Sequence, residues 1–209
     1  MTPDTVTVAG LLLVLAPVLG LVPVAYPPLL SVWTAPRARH IEIVAAHRRA
    51  WRVLNAGFAV ATMGTAAGLV ALSVALLGTP GWAAVVAGLA VVYLAAGTLW
   101  CGVLAIRART TPALRDLGAA AADPGPAETL LGAATEGLFA AFILVTGPTL
   151  IGLCASLAAG GTVAVPVAVV AALIAAASTG SQLLAGDSVP AVLYAPTLLI
   201  GVALLAGWH

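Results

Sequence analysis

The sequence predicts an all-α protein, a polytopic membrane helix bundle of about six transmembrane helices with both the N-terminus and the C-terminus outside. Three observations carry that expectation. The 209 residues are 62% hydrophobic and 7% charged, against about 45–50% and about 25% in soluble domains. The apolar residues fall into six runs that are apolar on every face. All the basic side chains are arginines, gathered in two clusters two runs apart. Such a composition excludes a soluble globular domain, and it equally excludes disorder, which needs low hydrophobicity and high charge. Two cysteines among 22 glycines and 14 prolines fit neither a disulfide scaffold nor a collagen.

The runs cover residues 6–33, 53–77, 82–106, 130–158, 163–185 and 189–208, and the whole chain reads as a single transmembrane domain. A spanning helix needs about 20 apolar residues, so each run suffices for one crossing. Barrel strands would alternate apolar and polar side chains, whereas Leu11 to Leu15 and Ala168 to Ile174 do not alternate at all. Helices follow, because in hydrocarbon each backbone N–H and C=O must be paired within the protein. Run one carries Pro17, Pro23, Pro27 and Pro28, and run four carries Pro148 beside Gly147. Each interior proline removes a helical hydrogen bond, so kinks are expected.

Between the runs lie the polar segments. Arg37, Arg39, Arg48, Arg49 and Arg52 occupy segment 34–52, and Arg107, Arg109 and Arg115 occupy segment 107–126. Two spans separate the clusters, so both lie on one side, and the positive-inside rule makes that side cytoplasmic. The turns at residues 78–81 and 160–161 and His209 then lie outside. The expected location is the bacterial cytoplasmic membrane, with the arginines against anionic headgroups. Residues 1–9 contain Asp4 and no base, which argues against a cleaved signal peptide.

Glu136 is the sharpest candidate for chemistry, because an ionisable group in a membrane helix is costly and functional by default. If run four enters hydrocarbon at Leu130, Glu136 lies about 9 Å deep; if the span begins at Leu138, it sits at headgroup level. Asn55, Thr98, Gln182 and Tyr194, with Ser178, Thr179 and Ser181, are candidates to line a cavity opening to the cytoplasm. Hydrogen bonding between helices is an alternative role for all of them. His40 and His47 are about 10.5 Å apart along a helix, too far to share a zinc whose nitrogen ligands lie about 2.0–2.1 Å away. Cys101 and Cys154 fall in opposite leaflets and form no CxxC pair, so packing thiols are expected rather than redox chemistry. Gly64 and Gly68 form a GxxxG match, a signal for close helix packing.

Phosphate loops, GxSxG elbows, paired-aspartate motifs and retinal-type lysines are absent from the sequence. No cofactor, metal or nucleic-acid partner is therefore expected. Three functions are open. The leading one is handling or permeation of a small or lipophilic molecule through the bundle. The second is a membrane-embedded enzyme on an isoprenoid or lipid substrate with Glu136 as general acid, and the third an accessory subunit.

Overall fold

The first apolar run does not form one helix. In the computed structural model, which describes residues 3–78, 81–114, 125–186 and 189–208, α1 (Pro3–Leu21) passes through Pro17 and ends at Leu21. A 3-10 turn, Val22–Ala25, follows, and Tyr26 is extended at φ −67° and ψ 113°. Tyr26 precedes Pro27, and the proline ring pushes its predecessor out of the helical region. The expected span over 6–33 is thus corrected to an apolar helix and turn over Asp4–Ala25. The rest of the run becomes α2 (Pro27–Leu30) and a second 3-10 turn, Ser31–Trp33.

The Arg-rich segment folds as α3 (Arg37–Ala46), started by Pro36 and burying Ile41, Ile43, Val44 and Ala45. The chain turns at His47 into α4 (Arg48–Ala75), followed by α5 (Trp82–Leu114), α6 (Pro126–Ala159) and α7 (Val165–Ala185). A 3-10 turn, Pro190–Leu193, leads into α8 (Tyr194–Ala206). Among the described residues, five helices are long and apolar enough to cross a membrane. The last helix has 13 residues, about 20 Å, and its 3-10 turn adds about 8 Å, close to the ~30 Å of a hydrocarbon core. The expected Arg115, the acids Asp116, Asp123 and Asp187, and His209 lie outside the described residues.

Packing closes a ring: α1 on α4, α4 on α5, α5 on α6, α6 on α7, α7 on α8, and α8 back on α1. The α1–α4 seam is antiparallel and built on small residues. A Cβ on Gly57 would meet the Gly20 carbonyl, one on Gly64 would meet Ala16, and one on Gly68 would meet Leu13. Close backbone approach of this kind replaces the hydrophobic drive that lipid cannot supply.

Large rings fill the middle of the bundle. Trp100 stacks on Phe142 at 5.4 Å and tilts against Phe139 at 4.9 Å, while Phe58 stacks on Tyr194 at 6.3 Å. Such stacked contacts add to the area these rings bury.

Helix lengths set the level of everything else. The Trp82 ring lies beside Gly160, and Ala164 N–H donates to Trp208 O at 2.9 Å. The start of α5, the end of α6, the start of α7 and the end of α8 therefore share one level. From it α7 runs 21 residues, whereas α5 runs 33 and α6 runs 34. At 1.5 Å per residue, α5 and α6 reach about 18–20 Å farther than α7 at the opposite end. That overhang carries Arg107 and Arg109.

Candidate functional site

The overhanging ends of α5 and α6 and the transverse α3 enclose a cleft. Trp51, at the start of α4, anchors its floor. It is 1% exposed, its indole N–H donates to Arg107 O at 3.0 Å, and the Arg107 guanidinium carbon lies 5.5 Å from the centre of the same ring. A cation over an indole face is attracted by the ring quadrupole. The His40 ring meets Trp51 edge-on at 5.7 Å.

His40 Nδ1 lies 3.2 Å from Val32 O. A carbonyl only accepts, so Nδ1 carries the proton and Nε2 keeps its lone pair. Burial pushes the His40 pKa down; the Val32 contact opposes this, and the Arg107 charge adds to it. His40 is therefore a neutral base at pH 7.

Two adjoining hollows make up the cleft, of about 440 and 460 Å³, and His40, Arg107, Thr135 and Glu136 line both. The first also touches Arg37 and Glu128, whose ion pair ties α3 to the first turn of α6. The second has apolar walls of Val32, Trp33, Val103, Phe139 and Val189. Glu136 is exposed to this space. It stands ten residues into α6, inside the stretch by which α6 outreaches α7. Among the described residues neither Glu136 nor Arg107 is in an ion pair, although both face the same hollows.

The other candidates disperse. Thr98 does not line the cleft: it sits on the outer face of α5 and its hydroxyl donates to Leu94 O at 2.8 Å. Asn55 is buried and donates to Trp51 O at 2.8 Å, which steadies the residue beneath Arg107. Tyr194 is buried against α4, its hydroxyl 2.7 Å from Thr62 Oγ1. Both hydroxyls also reach Phe58 O, Thr62 at 2.8 Å and Tyr194 at 3.2 Å. Gln182 Oε1 and Ser178 Oγ are buried without a hydrogen-bond partner among the described residues, as are Thr65 Oγ1, Thr146 Oγ1 and Trp100 Nε1. These atoms belong to the bundle interior and not to the cleft.

Of the arginines, Arg39 pairs with Glu42 at 3.0 Å on the surface of α3, and Arg52 and Arg109 share a shallow hollow between α4 and α5. The two basic clusters thus meet at one end of the bundle. Cys101 and Cys154 are both free.

Sequence reasoning singled out Glu136 but did not join it to His40 or Arg107. Their separations of 96 and 29 residues carry no local periodicity, so only the fold brings them together. A signal was nonetheless present: Arg107 is the basic residue nearest an apolar run on α5, as Glu136 is the acid nearest one on α6.

Fold, composition and ring closure define a polytopic helical bundle compatible with a membrane. Comparison with known proteins finds no matching family model, no matching curated protein and no matching solved structure.

Proposed function

We propose that the chain is a multi-pass protein of the bacterial plasma membrane, its arginine-bearing end cytoplasmic and both termini outside, that binds a small or lipophilic molecule in the α3–α5–α6 cleft. The observation that carries this reading is the pair Arg107 and Glu136, opposite charges lining the same hollows without pairing to each other. A charge left facing a cleft is available to a ligand, and its own partner would otherwise satisfy it. Arg107 suits an anionic or carbonyl group, Glu136 and the free Nε2 of His40 suit a hydroxyl or amine, and Trp33, Phe139 and Val189 suit an apolar body. Handling at the cleft is favoured over passage down the axis, because Trp100, Phe142, Phe58 and Tyr194 occupy the middle of the ring. The arginines at this end also suit anionic headgroups.

A second reading has its own observation. Glu136 and a neutral His40 line the same two hollows, and a carboxyl and an imidazole opening on one space are the groups that proton transfer uses. An enzyme acting on an isoprenoid or lipid would need no more from the protein at that point.

The test is to purify the full chain from its membrane, extract what accompanies it into organic solvent, and identify the extract by mass spectrometry. A compound enriched with the wild type and lost from folded Arg107→Gln and Glu136→Gln supports the cleft. Equal extracts from all three proteins would overturn it and leave the accessory-subunit reading.

A further inference from the structure

The charges lining the α3–α5–α6 cleft come in both signs. Arg37 and Glu128 cancel within their own ion pair. Arg107 is then the cation, and Glu136 the anion, that border both hollows outside any ion pair among the described residues. A ligand of a single sign would satisfy one of these groups and set a like charge against the other. A neutral ligand would satisfy neither. A molecule carrying an anion and a cation at once partners both, and the unmatched charge rejects the alternatives.

Hydrogen-bonding sense narrows the cation further. Four threonines border the first hollow, and three of them donate their only proton to a carbonyl of their own helix. Thr110 bonds Ile106 O at 3.0 Å, Thr129 bonds Gly125 O at 3.1 Å and Thr135 bonds Leu131 O at 3.0 Å. What these hydroxyls have left to offer a ligand is lone pairs. His40, with Nδ1 at Val32 O, adds the lone pair of Nε2, and the Glu136 carboxylate only accepts. Acceptors gathered in this way are matched by a group rich in N–H donors. A primary ammonium has three; a quaternary ammonium has none. The second hollow is walled by Trp33, Phe139 and Val189, which suit a hydrocarbon part of the same molecule. At about 440 and 460 Å³, each hollow falls in the range of small-molecule sites, about 300–1,000 Å³.

Resting on the reading that the cleft is the binding site, we propose that its ligand is a zwitterion with an apolar body, its phosphate or carboxylate at Arg107 and its primary ammonium at Glu136. Arg107 and Glu136 together set the requirement for both charges, and the threonine and histidine lone pairs set the requirement for N–H donors. Two sources supply this chemistry: an aminophospholipid of the membrane, and a free amino acid with an apolar side chain.

The experiment is native mass spectrometry of the full chain in detergent micelles, titrated with phosphatidylethanolamine, phosphatidylcholine, phosphatidylglycerol or leucine. The three lipids share phosphate and chains and differ in the group beyond the phosphate: a primary ammonium, a quaternary one, or no cation. For a membrane source, phosphatidylethanolamine should bind about tenfold or more tighter than the other two. Glu136→Gln should erase that preference. Arg107→Gln should weaken the adduct by about tenfold or more, while Arg109→Gln, which removes equal charge outside the cleft, should leave it. For a free amino acid, leucine should bind instead and be weakened by the same two variants. The proposal is overturned if neither phosphatidylethanolamine nor leucine binds better than phosphatidylcholine and phosphatidylglycerol, or if the preference survives Glu136→Gln. Lipid binding without preference that both cleft variants weaken would strike the zwitterion and keep the cleft, whereas equal organic extracts from wild type and variants would strike the cleft itself. Glu136 is exposed, so Glu136→Gln decides the matter alone should Arg107→Gln fail to fold.

Discussion

The Trp51 indole and Arg107 hold each other twice. The indole N–H donates to the arginine's own backbone carbonyl at 3.0 Å, and its ring lies 5.5 Å beneath the guanidinium. One contact fixes the α4–α5 crossing, and the other aims the charge into the cleft. Trp51→Phe should keep the ring and lose the hydrogen bond, costing about 1 kcal/mol, whereas Trp51→Ala should cost about 3–5 kcal/mol. Thermal unfolding in detergent separates the two, and equal losses would show that the hydrogen bond alone matters.

His40 gives the protein an acid-sensitive term. Its folded pKa lies below the ordinary histidine value, first because of burial and also because Arg107 faces it, while unfolding returns it to about 6.5. As pH falls, the unfolded state binds the proton first, so this contribution is complete above about pH 6.5 and is lost as pH falls toward the folded pKa. Glu136, Arg37 and Glu128 border the same space. Melting temperatures of wild type should therefore drop between pH 7 and pH 5 more than those of His40→Phe. Parallel curves would remove His40 from the account.

The α1–α4 seam depends on missing side chains. A methyl group on Gly57 would run into the Gly20 carbonyl, so Gly57→Ala should destabilise by about 1–3 kcal/mol through overpacking. Gly88, on α5, has open space where its Cβ would stand. Gly88→Ala should cost nothing, and a matching loss at both positions would point to a cause other than the seam.

Glu136 is exposed and without an ion pair among the described residues. Glu136→Gln keeps shape and hydrogen bonding and should melt with wild type. It should at the same time weaken retention of whatever compound accompanies the protein. Retention unchanged in Glu136→Gln, with wild-type dependence on pH, would take the carboxylate out of the proposed chemistry.

Sidedness is open to direct labelling. In a Cys101→Ala, Cys154→Ala background, a cysteine at Arg109 should react only from the cytoplasm, and one at Gly160 only from outside. Both residues are exposed, so access is decided by the bilayer. Labelling of both from one face would contradict the proposed orientation.

The sequence by itself determined the class of this protein and the end of the bundle that carries its charge. Six all-round apolar runs can satisfy their backbones only as helices, and clusters two spans apart must share a side. It also marked Gly64 and Gly68 as packing positions, which now face α1. Composition alone did not locate the break at Tyr26, because four prolines in run one offered four places for it. Pro17 stays inside α1, whereas the Pro27–Pro28 pair forces the extended residue before it. The cleft belongs wholly to tertiary structure. His40, Arg107 and Glu136 lie on three helices whose rotations about their axes no hydropathy pattern specifies, since helices apolar on every face carry no stripe to orient them. Close packing and the Trp51 clamp orient them instead.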